Sequence, residues 1–279
     1  MKKHNELKLA IPTDAISMDI ETSFLVGLDW GINYYELKRL FNKRLPSFDK
    51  SDVEYIKNSI KKNKTTICSL SPGLFKGKLN SDQTNREIDN FDKIINFAVE
   101  FETNKVIVFG FEFERLNYFD KDKITSKMTS IYENLLNKCV SKNIILLIEN
   151  DRGHFANNGN ILLKVLKNLS SDNLKVNWDP CNCIAEPNSM KPFPDFYNLI
   201  KDRIGHLHIK DAIEFEKKHK NIMIGEGEVN WADQIVALKE NNYSGYYVIE
   251  PHFGHRIHST YNHIESFKKI FNEKKSKKN

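Results

Sequence analysis

The chain has 279 residues, of which 28% are charged and 40% hydrophobic, a composition that is ordinary for a soluble enzyme and too apolar for a disordered chain. The formal net charge is +5, but the two termini carry six lysines, and five minus six leaves −1 for the rest. A body without positive excess argues against a nucleic-acid partner.

The N-terminal residues, the cysteines and the aliphatic runs of the chain together predict a cytoplasmic protein. Residues 1–6 are polar and lead directly into a predicted strand, so they do not read as a secretion signal. The four cysteines are scattered, which favours a reduced compartment. The longest aliphatic run, residues 144–148, is too short for a membrane span. Residues 272–279 are rich in lysine and predict a flexible tail.

Short β-rich runs alternate with helical patterns along the whole chain, which predicts a parallel sheet. Helical spacing of apolar residues is clearest in residues 88–99, 124–139 and 261–271. Eight strands with helices between them favour a closed (β/α)8 TIM barrel, here as one domain over residues 1–279. The predicted strands are residues 7–12, 33–37, 65–70, 105–109, 144–149, 175–179, 204–209 and 246–250.

Two stretches interrupt this rhythm and predict loops at the mouth of the barrel. Residues 71–80 contain the proline and glycines of an irregular loop. Residues 211–227 form an unusually long connection after the seventh strand, and we expect a lid or a wall of the mouth there.

Four residues of ligand type end the last four predicted strands: Glu149, Asp179, His208 and Glu250. Each alone is more often a helix cap, an ion-pair partner or a packed core residue. Together they converge at the carboxyl edge of the barrel, where they predict a site for one divalent metal ion. Three carboxylates with one imidazole suit Mn²⁺ first, with Mg²⁺, Co²⁺ or Zn²⁺ as alternatives. His206, two residues before His208, is expected to support the site without ligating.

Several motifs of the chain resemble, in order, those of the xylose isomerase-like TIM barrels, the sugar phosphate isomerase/epimerase superfamily related to the endonuclease IV fold. The resemblance covers most of the chain. The motifs are Glu149-Asn150, Asp179 with Asn182, His208-Ile-Lys-Asp211, Gly225-Glu-Gly227-Glu-Val-Asn-Trp231 and Glu250-Pro251.

The resemblance implies that Glu149, Asp179, His208 and Glu250 hold a metal ion and that the two glutamates also move protons. This assignment suits a sugar isomerase or epimerase, because removing a proton beside a carbonyl creates an enediolate whose charge a divalent ion stabilises. We expect a small sugar or sugar derivative as the partner molecule. Substrate contacts are expected from Asn182, Lys210, His154 and Arg256, the second and fourth of these toward a phosphate or carboxylate group.

Three alternatives remain at this stage. A metal-dependent dehydratase of the inosose type would use the same scaffold, and a barrel without chemistry could bind a sugar. The endonuclease IV branch needs additional histidines, one of them at the position that Asn182 occupies, so a trinuclear zinc site is not expected. A homo-oligomer is neither required nor excluded.

Overall fold

Eight parallel strands form a closed barrel, which confirms the predicted fold class. The computed structural model describes residues 7–113, 120–187, 189–252, 254 and 256–273. The ten strands of these ranges are β1 (Leu9–Pro12), β2 (Tyr34–Leu37), β3 (Thr66–Leu70), β4 (Lys105–Phe109), β5 (Ile145–Glu149), β6 (Leu174–Trp178), β7 (Ile204–Ile209), β8 (Asp211–Phe215), β9 (Lys218–Ile222) and β10 (Tyr247–Ile249).

The barrel follows the order of the chain, with β8 and β9 left outside it. Around the barrel the order is β1, β10, β7, β6, β5, β4, β3 and β2, and β1 pairs with both β2 and β10. Because all eight strands are parallel, their carboxyl ends meet at one edge. The side chains that end the strands are therefore brought to a single mouth.

Helices cover the outside of the barrel where the apolar spacing predicts them. They are α1 (Ile20–Asp29), α2 (Lys50–Asn63), α3 (Asp82–Asp89), α4 (Phe91–Glu100), α5 (Lys121–Val140), α6 (Gly159–Leu169), α7 (Tyr197–Ile200), α8 (Trp231–Glu240) and α9 (Arg256–Glu273). The stripe of α5 shows how they pack: Ile124, Met128 and Leu135 are all buried against the barrel. Each such side chain contributes roughly 1.5–3 kcal/mol when fully buried.

The apolar stripe at residues 88–99 belongs to two helices rather than one. Asn90 separates α3 from α4, and its side-chain Nδ2 donates a hydrogen bond of 2.8 Å to the Arg86 carbonyl. An asparagine side chain competes with the helical backbone for hydrogen bonds, so it favours helix ends. Apolar spacing alone does not reveal this interruption.

The long connection after β7, for which the sequence predicts a lid or a wall of the mouth, forms a two-stranded antiparallel hairpin of β8 with β9. The hairpin is tied back to the barrel through His219, whose Nδ1 lies 3.1 Å from the Ile184 carbonyl. Its other ring nitrogen, Nε2, lies 2.9 Å from Asn221 Oδ1. These contacts hold the hairpin against the turn that follows β6.

The predicted tail lies almost entirely outside the described residues. Asn272 and Glu273 belong to α9, and residues 274–279 are not among the described ranges. Within those ranges, every helix is too short or too polar to cross a lipid bilayer.

Gly110, directly after β4, offers a test of packing at the mouth. A Cβ built there would lie 2.0 Å from the Ala156 Cβ and 2.8 Å from the Ala156 backbone nitrogen. Because the backbone cannot move aside easily, Gly110→Ala should lower the free energy of unfolding by about 1–3 kcal/mol in a denaturant titration. Gly77→Ala is the control, since its nearest neighbour is the flexible end of Gln83. Equal stability of the two variants would contradict the close packing at Gly110.

Candidate active site

The four residues that end the last barrel strands come together at the mouth of the barrel. Glu149 ends β5, His208 lies in β7, and Asp179 and Glu250 directly follow β6 and β10. All four are at most 5% exposed. His208 Nδ1 lies 3.5 Å from Glu149 Oε1 and 3.4 Å from Glu250 Oε2. Ligand atoms of Glu149, Asp179 and His208 all lie within 4.8 Å of one another.

Glu36, at the end of β2, orients His208 and is absent from the sequence-based site. His208 Nε2 lies 3.1 Å from both carboxylate oxygens of Glu36. A carboxylate only accepts hydrogen bonds, so Nε2 must be the protonated donor. In the neutral ring the lone pair is then on Nδ1, which faces Glu149 and Glu250. Glu36 thereby directs Nδ1 of His208 toward Glu149 and Glu250.

The other partners of Glu36 complete a buried polar cluster beneath His208. Ser69 Oγ donates a hydrogen bond of 3.0 Å to Glu36 Oε2, and His206 Nε2 lies 3.2 Å from the same oxygen. Glu36, His206 and His208 also form a second group whose ligand atoms lie close enough to hold a metal ion. Since His206 and His208 both bond Glu36 directly, we assign this group to the support of His208.

Two lysines place positive charge among the carboxylates. Lys210 Nζ lies 2.8 Å from Asp179 Oδ2 and 3.2 Å from Glu250 Oε2. Lys38, two residues beyond Glu36, forms an ion pair with Glu250 Oε1. His252 Nε2 lies 3.1 Å from Glu250 Oε2 as well. Glu250 therefore has cationic or ionisable partners on both of its oxygens.

These contacts set the protonation states of the site. Burial raises the pKa of Glu250, but Lys38, Lys210 and His208 outweigh it and bring this pKa well below its usual range. Burial lowers the pKa of His208, yet the negative charges of Glu36, Glu149 and Glu250 raise it well above the usual value. Without a metal ion the ring is therefore a cation at neutral pH, and a metal ion would have to displace the Nδ1 proton to bind there. Glu250 is therefore a carboxylate at neutral pH, the form that can accept a proton.

Asparagine side chains fix the positions of the other two carboxylates. Asn150 accepts a 2.8 Å hydrogen bond from the Asp179 backbone nitrogen and donates one of 2.8 Å to the Asp179 carbonyl. Asn177 Nδ2 donates to Glu149 Oε2 at 3.1 Å. Asn182 Nδ2 donates to Asp179 Oδ2 at 3.0 Å, and its Oδ1 lies 3.4 Å from Lys210 Nζ. Asn182 and Lys210, two of the residues expected to contact substrate, thus both contact the carboxylate of Asp179.

The other two expected substrate contacts lie farther from the carboxylates. His154 Nε2 lies 3.0 Å from the Lys76 carbonyl, and its Nδ1 lies 3.5 Å from Asp151. His154 therefore holds the loop of residues 71–80. Arg256 is exposed at the start of α9 and donates to the Asp14 carbonyl at 3.0 Å. Arg256 and Glu250 line the same cavity, of about 580 Å³, at the mouth of the barrel.

Asp211 anchors backbone and does not reach into the mouth. Its Oδ1 accepts from the Ala212 and Val229 nitrogens at 2.9 and 3.0 Å. Its Oδ2 accepts from the Gly225 and Gly227 nitrogens at 2.9 and 3.2 Å. A Cβ at Gly227 would lie 2.1 Å from Asp211 Oδ1, so only glycine allows this approach. The motif around residues 225–231 thus closes the base of the hairpin.

The donor set at the mouth fits a divalent metal ion. His208 Nδ1 is buried and has no hydrogen-bond partner among the described residues, although carboxylate oxygens face it on two sides. Three carboxylates and one imidazole are ligands that such ions accept. A ligating nitrogen oriented by a carboxylate on its other side, as Glu36 orients His208, is typical of metal sites.

The family model described as a xylose isomerase-like TIM barrel matches residues 26–270. The chain belongs to the xylose isomerase-like TIM barrel family. This membership confirms the resemblance drawn from the motifs, and the closed barrel agrees with it. A search of curated proteins found no match.

Solved structures of several proteins superpose on 94–98% of the chain. A D-tagatose 3-epimerase-like protein matches with a TM-score of 0.77 at 18% identity, over 97% of this chain and 100% of its own. The probable 3-DHS dehydratase AsbF of Bacillus anthracis matches with 0.75 at 17%, over 94% and 99%. A xylose isomerase-like protein from Mycobacterium smegmatis in complex with magnesium matches with 0.75 at 12%, over 98% and 99%. At these identities the likeness shows the fold alone.

Asp211 gives a prediction on stability. Asp211→Asn replaces one carboxylate oxygen with an NH₂ group, which would face backbone N–H donors instead of accepting from them. The hydrogen bonds that the charged carboxylate accepts contribute roughly 1.5–3 kcal/mol each. We expect a loss of at least about 1.5 kcal/mol in the free energy of unfolding, measured by denaturant titration. Asp195→Asn, at an exposed position, is the matched control. Unchanged stability of Asp211→Asn would refute the anchoring role.

Proposed function

We propose that this protein is a divalent-metal-dependent isomerase or epimerase of a small sugar or sugar derivative. The observation that carries the proposal is the position of His208 Nδ1, a buried nitrogen without a hydrogen bond, between Glu149 and Glu250. With Glu149 on one side of His208 Nδ1 and Glu250 on the other, one carboxylate can take a proton from a substrate carbon and the other can return a proton to the substrate at a different face or carbon.

Glu149, Asp179, His208 and Glu250 would hold the ion, with Mn²⁺ as our first choice and Mg²⁺, Co²⁺ or Zn²⁺ as alternatives. When bound, a divalent ion supplies positive charge beside the carbonyl and hydroxyl oxygens of the substrate, which lowers the energy of an enediolate. Glu36 serves the same site by keeping His208 Nδ1 directed at the carboxylates.

Glu149 and Glu250 would carry the proton. One glutamate removes a proton from the carbon beside the carbonyl, and the electron pair of the broken C–H bond forms the enediolate. The other glutamate returns a proton to the opposite face of that carbon, which gives an epimer. Alternatively, the proton goes to the former carbonyl carbon while the hydroxyl proton of the first carbon passes to the former carbonyl oxygen, which gives an isomer. Lys38 and Lys210 keep the Glu250 carboxylate ionised, and their positive charges also lower its affinity for a proton.

The structural neighbours agree with this reaction class at the level of the fold. Beside the D-tagatose 3-epimerase-like protein, they include a structure described as L-ribulose 3-epimerase and a D-allulose 3-epimerase from Methylomonas sp. in complex with D-allulose. The probable dehydratase among them keeps dehydration as the second candidate. Asn182 and Lys210, which lie at Asp179, are our candidates for contacts to substrate hydroxyl groups.

Exchange of substrate hydrogen with solvent tests the proton transfer. Protein loaded with Mn²⁺ and incubated with a panel of ketoses in D₂O should incorporate one deuterium into substrate and product, detected by mass spectrometry. Glu250→Gln removes the proton acceptor and should slow the exchange by about 100- to 10,000-fold. Glu265→Gln, an exposed change on α9, should leave it intact.

The same experiment separates the two candidate reactions. A product lighter than its substrate by one water would favour the dehydratase. Full exchange by Glu250→Gln would exclude the proposed role of this residue. The absence of exchange in every ketose, with metal bound, would exclude the isomerase and epimerase proposal.

Glu36 gives an independent test of the metal site. Glu36→Gln preserves the shape of the side chain but removes the charge that orients His208, so metal affinity should fall about 10- to 100-fold. Competition with a fluorescent chelator measures this change without any substrate. Glu100→Gln, which alters an exposed ion pair with Lys57, is the control. Equal affinities in the two variants would contradict the orienting role of Glu36.

A further inference from the structure

One wall of the mouth cavity is cationic, although the chain without its terminal lysines is close to neutral. The cavity of about 580 Å³ reaches Glu250, the proposed proton carrier. Its lining contains two carboxylates, Asp14 and Glu250, and an excess of three positive charges. The cationic residues are Lys38, Arg39, Arg44, Lys76 and Arg256.

The partners of these cations divide them into two groups. Lys38 pairs with Glu250, Lys76 with Asp151 at 3.1 Å, and Arg256 donates to the Asp14 carbonyl. Arg39 and Arg44 form no ion pair or side-chain hydrogen bond within the described part of the chain. Among the described residues, these two guanidinium groups thus lie at the cavity without an ion pair or a hydrogen bond, and the charges of Asp14, Glu250 and Glu36 reach Arg44 only from a longer distance.

Arg44 is the more informative of the two. Its Nε is buried and has no hydrogen-bond partner among the described residues, which is costly for a charged group. It packs against Gly73, where a Cβ would lie only 2.3 Å from Arg44 Nη1. Burial lowers the pKa of Arg44, and the charge of neighbouring Arg39 lowers it further. An anion between Arg39 and Arg44 would relieve both the missing bond and the repulsion.

The position of the pair relative to the reacting groups defines what such an anion can be. Arg39 and Arg44 belong to the connection after β2, the strand that also supplies Glu36 and Lys38. They share the cavity with Glu250, and cavities of about 300–1,000 Å³ suit small molecules rather than polymers. An anionic group bound there would therefore belong to a small molecule that also reaches Glu250.

We propose that Arg39 and Arg44 bind a phosphate or carboxylate group of the substrate while its carbonyl end lies at Glu250. Guanidinium groups bind both anions through paired N–H donors. This inference rests on the proposed function for the placement of the carbonyl end. Arg39 and Arg44 then select anionic sugars over neutral sugars of the same skeleton.

Three probes with one carbon skeleton test the selection: D-fructose, D-fructose 6-phosphate and D-fructuronate, which differ in the group at one end. Their affinities for protein loaded with Mn²⁺ are measured by calorimetry. We expect at least one anionic probe to bind about 10-fold or more tightly than D-fructose. Stronger binding of D-fructose 6-phosphate indicates a phosphate, and stronger binding of D-fructuronate indicates a carboxylate.

Variants then assign the preference to its residues. Arg39→Gln changes an exposed side chain that makes no hydrogen bond or ion pair with the described residues, so we expect the fold to be kept. This change and Arg44→Gln should each reduce the preference for the anionic probe, and the double variant should abolish it. Arg44→Lys keeps the positive charge and should retain part of the preference for the anionic probe. Arg86→Gln, on α3, is the control and should retain the full preference.

The outcomes distinguish this inference from the proposed function. Anionic probes that bind no better than D-fructose, including no measurable binding of any probe, would overturn the inference. A preference that persists in the double variant would overturn it as well. Deuterium exchange is scored separately, so exchange without anion preference defeats only this inference. Anion preference without exchange in any ketose defeats only the proposed function.

Discussion

The contact between Glu36 and His208 is the constraint on which the arrangement of the mouth depends. It joins β2 to β7 across the barrel, between residues separated by 172 positions in the chain. Both side chains are almost fully buried, so neither can exchange its partner for water. Since Glu36 accepts the Nε2 hydrogen, His208 presents Nδ1 to Glu149 and Glu250. The strand-end carboxylates become a candidate metal site only because this ring is held in that orientation.

Two lysines partly offset the charge of the buried carboxylates around this contact. Lys38 and Lys210 lie against Glu250, and Lys210 also lies against Asp179, so the buried carboxylates do not face one another uncompensated. Asn150 and Asn177 fix the backbone of Asp179 and the carboxylate of Glu149. Asparagine side chains thus position Glu149 and the backbone of Asp179, and lysine side chains contact Glu250 and the Asp179 carboxylate. Among the described cations that line the mouth cavity, Arg39 and Arg44 have neither an ion pair nor a side-chain hydrogen bond.

The sequence predicts the barrel well, because each strand is a local apolar run and the parallel order follows from the alternation with helices. It also places ligand-type residues at the ends of β5, β6, β7 and β10. Glu36 could have been found by the same signal, since it too is an acid near the end of a β-rich run. The hairpin after β7 and the break at Asn90 are harder, because they depend on contacts such as that of His219 with Ile184. The roles of the individual site residues stay predictions.

The alternation of side chains along β2 has a consequence for how this protein can change. Glu36 and Lys38 are two residues apart, so they project to the same face of the strand, one toward His208 and the other toward Glu250. The pairing of β2 with β3 already contains one irregularity, between Tyr35 and Glu36. A single inserted or deleted residue here would turn both side chains toward the helices at once. The strand can therefore accept substitutions, but a change in its length would disrupt the contacts of Glu36 and Lys38 at the mouth. The hairpin after β7, by contrast, can be lengthened or shortened by pairs of residues.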